Sequence, residues 1–166
     1  RNKNDYVRAT IWNERYLSVD SSNPRILANL AEAYDKLGKN EQYFTTLKRA
    51  AQSESKNPNL YLNLGKEYVT RHDTASAIQV FNHALEMDPA AVAVRANLAI
   101  VYLWQENYPL AVLHSTRAIA DGCRDPMAYK CAGLALVYRG EYQRALPYLD
   151  TYLSTSPGDR YVQSVR

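Results

Sequence analysis

The sequence predicts an all-α solenoid of stacked antiparallel helix pairs, and three observations predict it. Segments of the chain recur at a fixed offset, each period holds two blocks of helically spaced apolar residues, and polar or glycine-bearing breaks separate the blocks. "NLAEAYDKLG" from Asn29, "NLGKEYVTRH" from Asn63 and "NLAIVYLWQE" from Asn97 align without a gap at steps of 34 residues. Asn-Pro at 23–24 recurs at 57–58, and Asp-Pro stands in the same register at 125–126. One helix pair of this length cannot bury its apolar faces alone, whereas stacked copies can.

The elements follow in order. "DYVRATIWNERYLS" from Asp5 matches "EYQRALPYLDTYLS" from Glu141, four periods on, so residues 5–20 read as the second helix of a partial unit. Full units are expected at 24–57, 58–91, 92–125 and 126–159, and 160–166 reads as the start of a further first helix. Pro24, Pro58 and Pro126 sit in a first helical turn, where a missing N–H costs no bond. In the second unit Tyr61, Leu64, Gly65 and Tyr68 mark one face of the first helix. Ala77, Phe81 and Ala84 mark one face of the second, and Pro89 closes the unit. The small residues let helix axes approach, and the aromatic ones fill gaps between pairs.

Several positions depart from this pattern. Tyr43 stands where Ala77, Ala111 and Ala145 stand, which predicts spread or shifted helices in the first unit. Ser115 replaces the aromatic Phe81, Arg95 stands in the column of Tyr61 and Tyr129, and Leu136 in that of Tyr34, Tyr68 and Tyr102. Pro147 falls inside a second helix and predicts a kink or an outward first turn.

Composition narrows the function. The 20 basic and 17 acidic residues are mixed through both halves with no run of like charge, which argues against a nucleic-acid footprint. No apolar run is long enough to insert into a membrane. Cys123 and Cys131, eight residues apart, form neither a disulfide framework nor a CxxC site and read as free thiols. His72, His83 and His114 show no metal-ligand spacing and read as scattered solvent-facing imidazoles. No nucleophile, phosphate-loop or zinc-protease motif occurs, so no catalytic residue, metal or cofactor is expected.

The period and its columns resemble the tetratricopeptide repeat family, with the second unit a close match to the family signature. The resemblance covers nearly the whole chain and implies a right-handed superhelix with a groove along its inner face. It also implies that the groove holds an extended peptide or a partner helix.

The columns that line this inner wall in the family grow apolar along the chain. The first unit offers Arg25, Ala28, Glu32, Asp35 and Lys36, and the second Asn59, Leu62, Lys66, Val69 and Thr70. The third offers Ala93, Ala96, Ile100, Leu103 and Trp104, and the fourth Met127, Lys130, Leu134, Val137 and Tyr138. The stretch "ANLAIVYLW" at 96–104 is apolar all round for this reason: Leu98, Ala99 and Tyr102 serve the repeat core, and Ala96, Ile100, Leu103 and Trp104 serve the wall. Exposed apolar area of this kind marks interaction sites, with Trp and Tyr as common anchors. Asn29, Asn63 and Asn97 form an evenly spaced amide ladder in a column that peptide-gripping arms of the family use, broken at Cys131. The Lys, Asn and Arg columns by which some co-chaperone members clamp a C-terminal carboxylate are not filled here.

The sequence therefore predicts a scaffold that binds a protein or peptide partner and has no catalysis of its own. Two alternatives stand beside it: the substrate-recognising arm of a larger enzyme such as a glycosyltransferase, and a homo-oligomer that self-associates through the apolar wall.

Overall fold

The computed structural model describes residues 2–53 and 56–166, so positions 54 and 55 of the first expected unit lie outside the described residues. Among these there are ten helices and no strand: α1 (Lys3–Leu17), α2 (Pro24–Lys36), α3 (Asn40–Gln52), α4 (Pro58–Thr70), α5 (Thr74–Met87), α6 (Val92–Trp104), α7 (Tyr108–Ala120), α8 (Pro126–Tyr138), α9 (Tyr142–Thr155) and α10 (Arg160–Val165). The first helices start at Pro24, Pro58, Val92, Pro126 and Arg160, and the second at Asn40, Thr74, Tyr108 and Tyr142, each 34 residues after the last.

Local chemistry fixes these boundaries. The side chains of Asn23, Asn57, Asp125 and Asp159 accept backbone N–H bonds at the starts of α2, α4, α8 and α10. Within each pair the first helix ends in the same turn. The N–H groups of Lys39, Asp73, Asn107 and Glu141 donate to the carbonyls of Tyr34, Tyr68, Tyr102 and Leu136, each at 2.9 Å. The residue before each donor is left-handed: Gly38, His72, Glu106 and Gly140, with φ between 58° and 75°.

α2 packs on α3, α4 on α5, α6 on α7 and α8 on α9, and each pair packs on the next. The first helices α4, α6 and α8 also touch in sequence, which makes one continuous inner wall. Phe81, Leu27, Leu30, Leu98, Leu136 and Leu149 are fully buried. Three of the packed tyrosines keep their hydroxyls bonded. Tyr34 donates to Glu14, Tyr61 to the Ala51 carbonyl and Tyr152 to Asp159.

The departures have local answers. Arg95 replaces its column's tyrosine by joining Asp121 at 2.7 Å and the Pro89 carbonyl. Ser115 is fully buried, and its hydroxyl donates to the Ala111 carbonyl at 2.6 Å. Tyr43 is half-buried and lines a depression between α2 and α4 beside Leu47 and Leu60. Helix α9 runs through Pro147, an exposed position from which the ring projects outward. One expectation needs correcting: His114 is half-buried against Tyr102, with ring centroids 5.4 Å apart, and burial lowers its pKa. On α1, the outward Val7, Ile11, Trp12 and Tyr16 are exposed, whereas Ala50, Ala84 and Ala118, in the register of Tyr16, are fully buried.

Candidate functional site

The sequence-predicted wall residues do not all meet. Ile100, Leu103 and Trp104 from α6 converge with Met127, Lys130, Leu134 and Tyr138 from α8 on a groove of about 370 Å³. Three aromatic or acidic neighbours complete it: Glu106 from the α6–α7 turn, Tyr108 from α7 and Tyr161 from α10. Trp104 is 56% exposed, Tyr161 49% and Tyr138 47%, while Leu134 forms the buried floor together with Cys131.

Ala96 lies elsewhere. It is 4% exposed and packs with Ala118, Cys123 and Ala128, because the small column lets α6, α7 and α8 close over it. The asparagines also separate. Asn29 lines a polar depression with Asp5, Asn13 and Glu32, and Asn63 lines the one between α2 and α4. Asn97 turns its amide back to donate to the Ala93 carbonyl of its own helix at 2.8 Å. The two depressions share Glu32, and Asn97 lines neither of them.

The aromatic rim is held by its own bonds. Tyr108 stacks on Tyr138 with centroids 4.9 Å apart, and the Tyr138 hydroxyl is hydrogen-bonded to that of Tyr161. This bond, with burial and the neighbouring Tyr161, Tyr108 and Glu106, pushes the Tyr138 phenol up to about 12. Burial and the Glu106 carboxylate raise Tyr108 as well. Both phenols are therefore neutral donors at ordinary pH.

Lys130 is not a free cation. Its Nζ lies 2.7 Å from Asp159 Oδ2, and Tyr152 donates to the same carboxylate oxygen at 2.8 Å. The Lys130 bond, the Val162 N–H and the Tyr152 hydroxyl together hold Asp159 down to about 2. The pair ties the N-terminus of α10 to α8, and it cancels the one basic charge on this part of the wall. Glu106 makes no ion pair among the described residues.

The cysteines are both free and buried, and burial pushes the Cys131 thiol up to about 12, which leaves it without thiolate character. No cluster of metal-ligating side chains occurs among the described residues, and no described helix is long and apolar enough to cross a membrane. A larger depression of about 490 Å³ lies between α1, α2 and α3, but Glu14 and Tyr34 satisfy each other across it.

Sequence reasoning missed Tyr108, Tyr161 and Glu106. Tyr161 was within reach, since it stands one period after Met127 in the same wall column. Glu106 carried a fainter signal, a carboxylate in the turn column that Gly38 and Gly140 also occupy. Tyr108 belongs to a second helix and no column marks it.

Comparison with known proteins gives one family. The tetratricopeptide repeat model matches residues 18–165. Human tetratricopeptide repeat protein 21B is 24% identical over 128 residues, which are 77% of this chain and 10% of that protein. The chain thus spans about a tenth of that relative's length. Among solved structures, YrrB, a TPR protein described as having an unusual peptide-binding site, superposes with a TM-score of 0.82 at 17% identity, over 97% of this chain and 83% of its own. MamA superposes with a TM-score of 0.80 at 20% identity, over 96% of this chain and 93% of its own. At these identities the likeness shows the fold.

Proposed function

Because this chain belongs to the tetratricopeptide repeat family and is a protein-interaction repeat module, we propose that it holds a peptide or helix of a partner protein in the groove between α6 and α8, without catalysis of its own. The observation that carries this reading is the convergence of exposed Trp104, Tyr138 and Tyr161 on one apolar floor. Large aromatic side chains left in water at a concave surface gain most when a partner covers them.

The groove's volume is near the lower end of the roughly 300–1,000 Å³ usual for ligand pockets, which suits anchor side chains of a peptide better than an engulfed domain. Leu134 and Cys131 give the anchor an apolar seat, and the neutral phenols give its backbone hydrogen-bond partners. The description of YrrB as having a peptide-binding site supports peptide binding on this fold. The evenly mixed charge supports a protein partner over a nucleic acid. The amide ladder lends the enzyme-arm reading little support, since Asn97 is bonded to its own helix.

The test compares affinity capture by the chain and by a Trp104→Glu, Tyr138→Glu variant whose melting shows it folded. Captured proteins are cut into overlapping peptides to find the bound segment. Segments lost only from the variant support the groove. A capture set that is the same for both proteins rules the groove out as the docking site.

A further inference from the structure

We propose that the groove selects a partner segment in which an arginine or lysine lies beside an apolar anchor, with Glu106 as the residue that reads the positive charge. This rests on the groove reading above and adds the chemistry of the partner.

The groove's charges point that way. Lys130 and Asp159 neutralise one another at 2.7 Å, so the remaining formal charge at the groove is the Glu106 carboxylate. A partner anion would meet that carboxylate and find no available cation. A partner cation would meet a carboxylate that makes no ion pair among the described residues, on a groove also lined by four aromatic rings, those of Trp104, Tyr108, Tyr138 and Tyr161. Ring faces attract Lys and Arg within about 6 Å, most strongly where water is partly excluded. A guanidinium can stack on a ring while donating two bonds to a carboxylate.

The backbone gives a second observation. Glu106 occupies the left-handed turn with φ 58°, in the column that glycine fills at Gly38 and Gly140. L-residues adopt this conformation at a cost, and such residues cluster where a side chain serves a ligand. Glycine would make the same turn without strain, but it would leave the groove uncharged. His72, the other non-glycine in the column, lines none of the described depressions and serves as the internal control.

The experiment selects from a display library of short random linear peptides on the 166-residue chain, then titrates the leading synthetic peptides at low and high salt. Wild type, Glu106→Gln, Trp104→Ala and His72→Gln are compared, each checked by thermal melting. The expected result is enrichment of arginine or lysine within a helical turn of an aliphatic or aromatic residue. Binding should weaken about threefold or more in Glu106→Gln at low salt, with a shallower salt dependence. It should fall further in Trp104→Ala and stay unchanged in His72→Gln. Peptides that need Trp104 but show no basic enrichment, or that bind Glu106→Gln as well as wild type, overturn this inference and leave the groove standing. A selection without binders, or with binders indifferent to Trp104→Ala, overturns the groove reading and this inference with it.

Discussion

Gly65 and Phe81 lie so close that a Cβ built on Gly65 would fall 2.2 Å from the Phe81 ring. The same relation joins Gly133 to Leu149, again at 2.2 Å. In the register of these pairs stand Ala31 with Leu47 and Ala99 with Ser115. Three of the four pairs thus set a small residue on the first helix against a larger one on the second, and Ala99 with Ser115 is the exception.

A size exchange tests that relation. Gly65→Ala should gain about 1 kcal/mol in helix propensity and lose about 1–3 kcal/mol to overpacking against a fully buried ring. The net expected is a loss of about 1 kcal/mol in denaturant unfolding. Adding Phe81→Leu recreates the Ala31–Leu47 pair, so the double variant should be more stable than the sum of the single changes predicts. Strict additivity would show that the two residues are not packed as described.

The turn column makes a second prediction. Glu106→Gly and His72→Gly should each raise stability by about 1 kcal/mol, since both residues hold a positive φ that glycine adopts freely. For a chain of this size that is a rise of about 2–4 °C in Tm. Gly140→Ala, with φ 75°, should lower it. An unchanged or lower Tm in both glycine variants would mean that the turn is not strained.

Acid should release α10. Asp159 titrates near 2 in the folded chain against an ordinary value of 3.8, so its folded pKa is depressed. Its contribution is therefore fully present above the ordinary value and is lost as pH falls toward about 2. The protection factor at Val162, whose N–H donates to Asp159 Oδ1 at 3.1 Å, should fall over that window once the intrinsic pH dependence of amide exchange is divided out. Asp159→Asn should show the acid behaviour at neutral pH. Protection of Val162 that persists to pH 2 would contradict the assignment.

How much could be read beforehand differs between scaffold and site. The helix starts followed from Asn23, Asn57 and Asp125 with their prolines, because a cap and a first turn involve neighbours in sequence. The convergence of Ile100, Leu103, Trp104, Leu134 and Tyr138 followed from column position, since α6 and α8 are equivalent helices side by side. Column position failed at Ala96, which looked like wall and is core. A small side chain leaves its neighbours room to close, and only their packing shows whether they do.

The sequence by itself determined the repeat, the all-α architecture and the family, because all three are carried by residue types at a fixed spacing. Only the tertiary structure decided that Asp159 neutralises Lys130, that Asn97 bonds to its own helix and that Glu106, Tyr108 and Tyr161 join the groove. Those outcomes depend on rotamers and on how the superhelix brings residues from successive units together. Distance along the chain records neither, so a side chain's charge and bonding become known only when its neighbours in space are known.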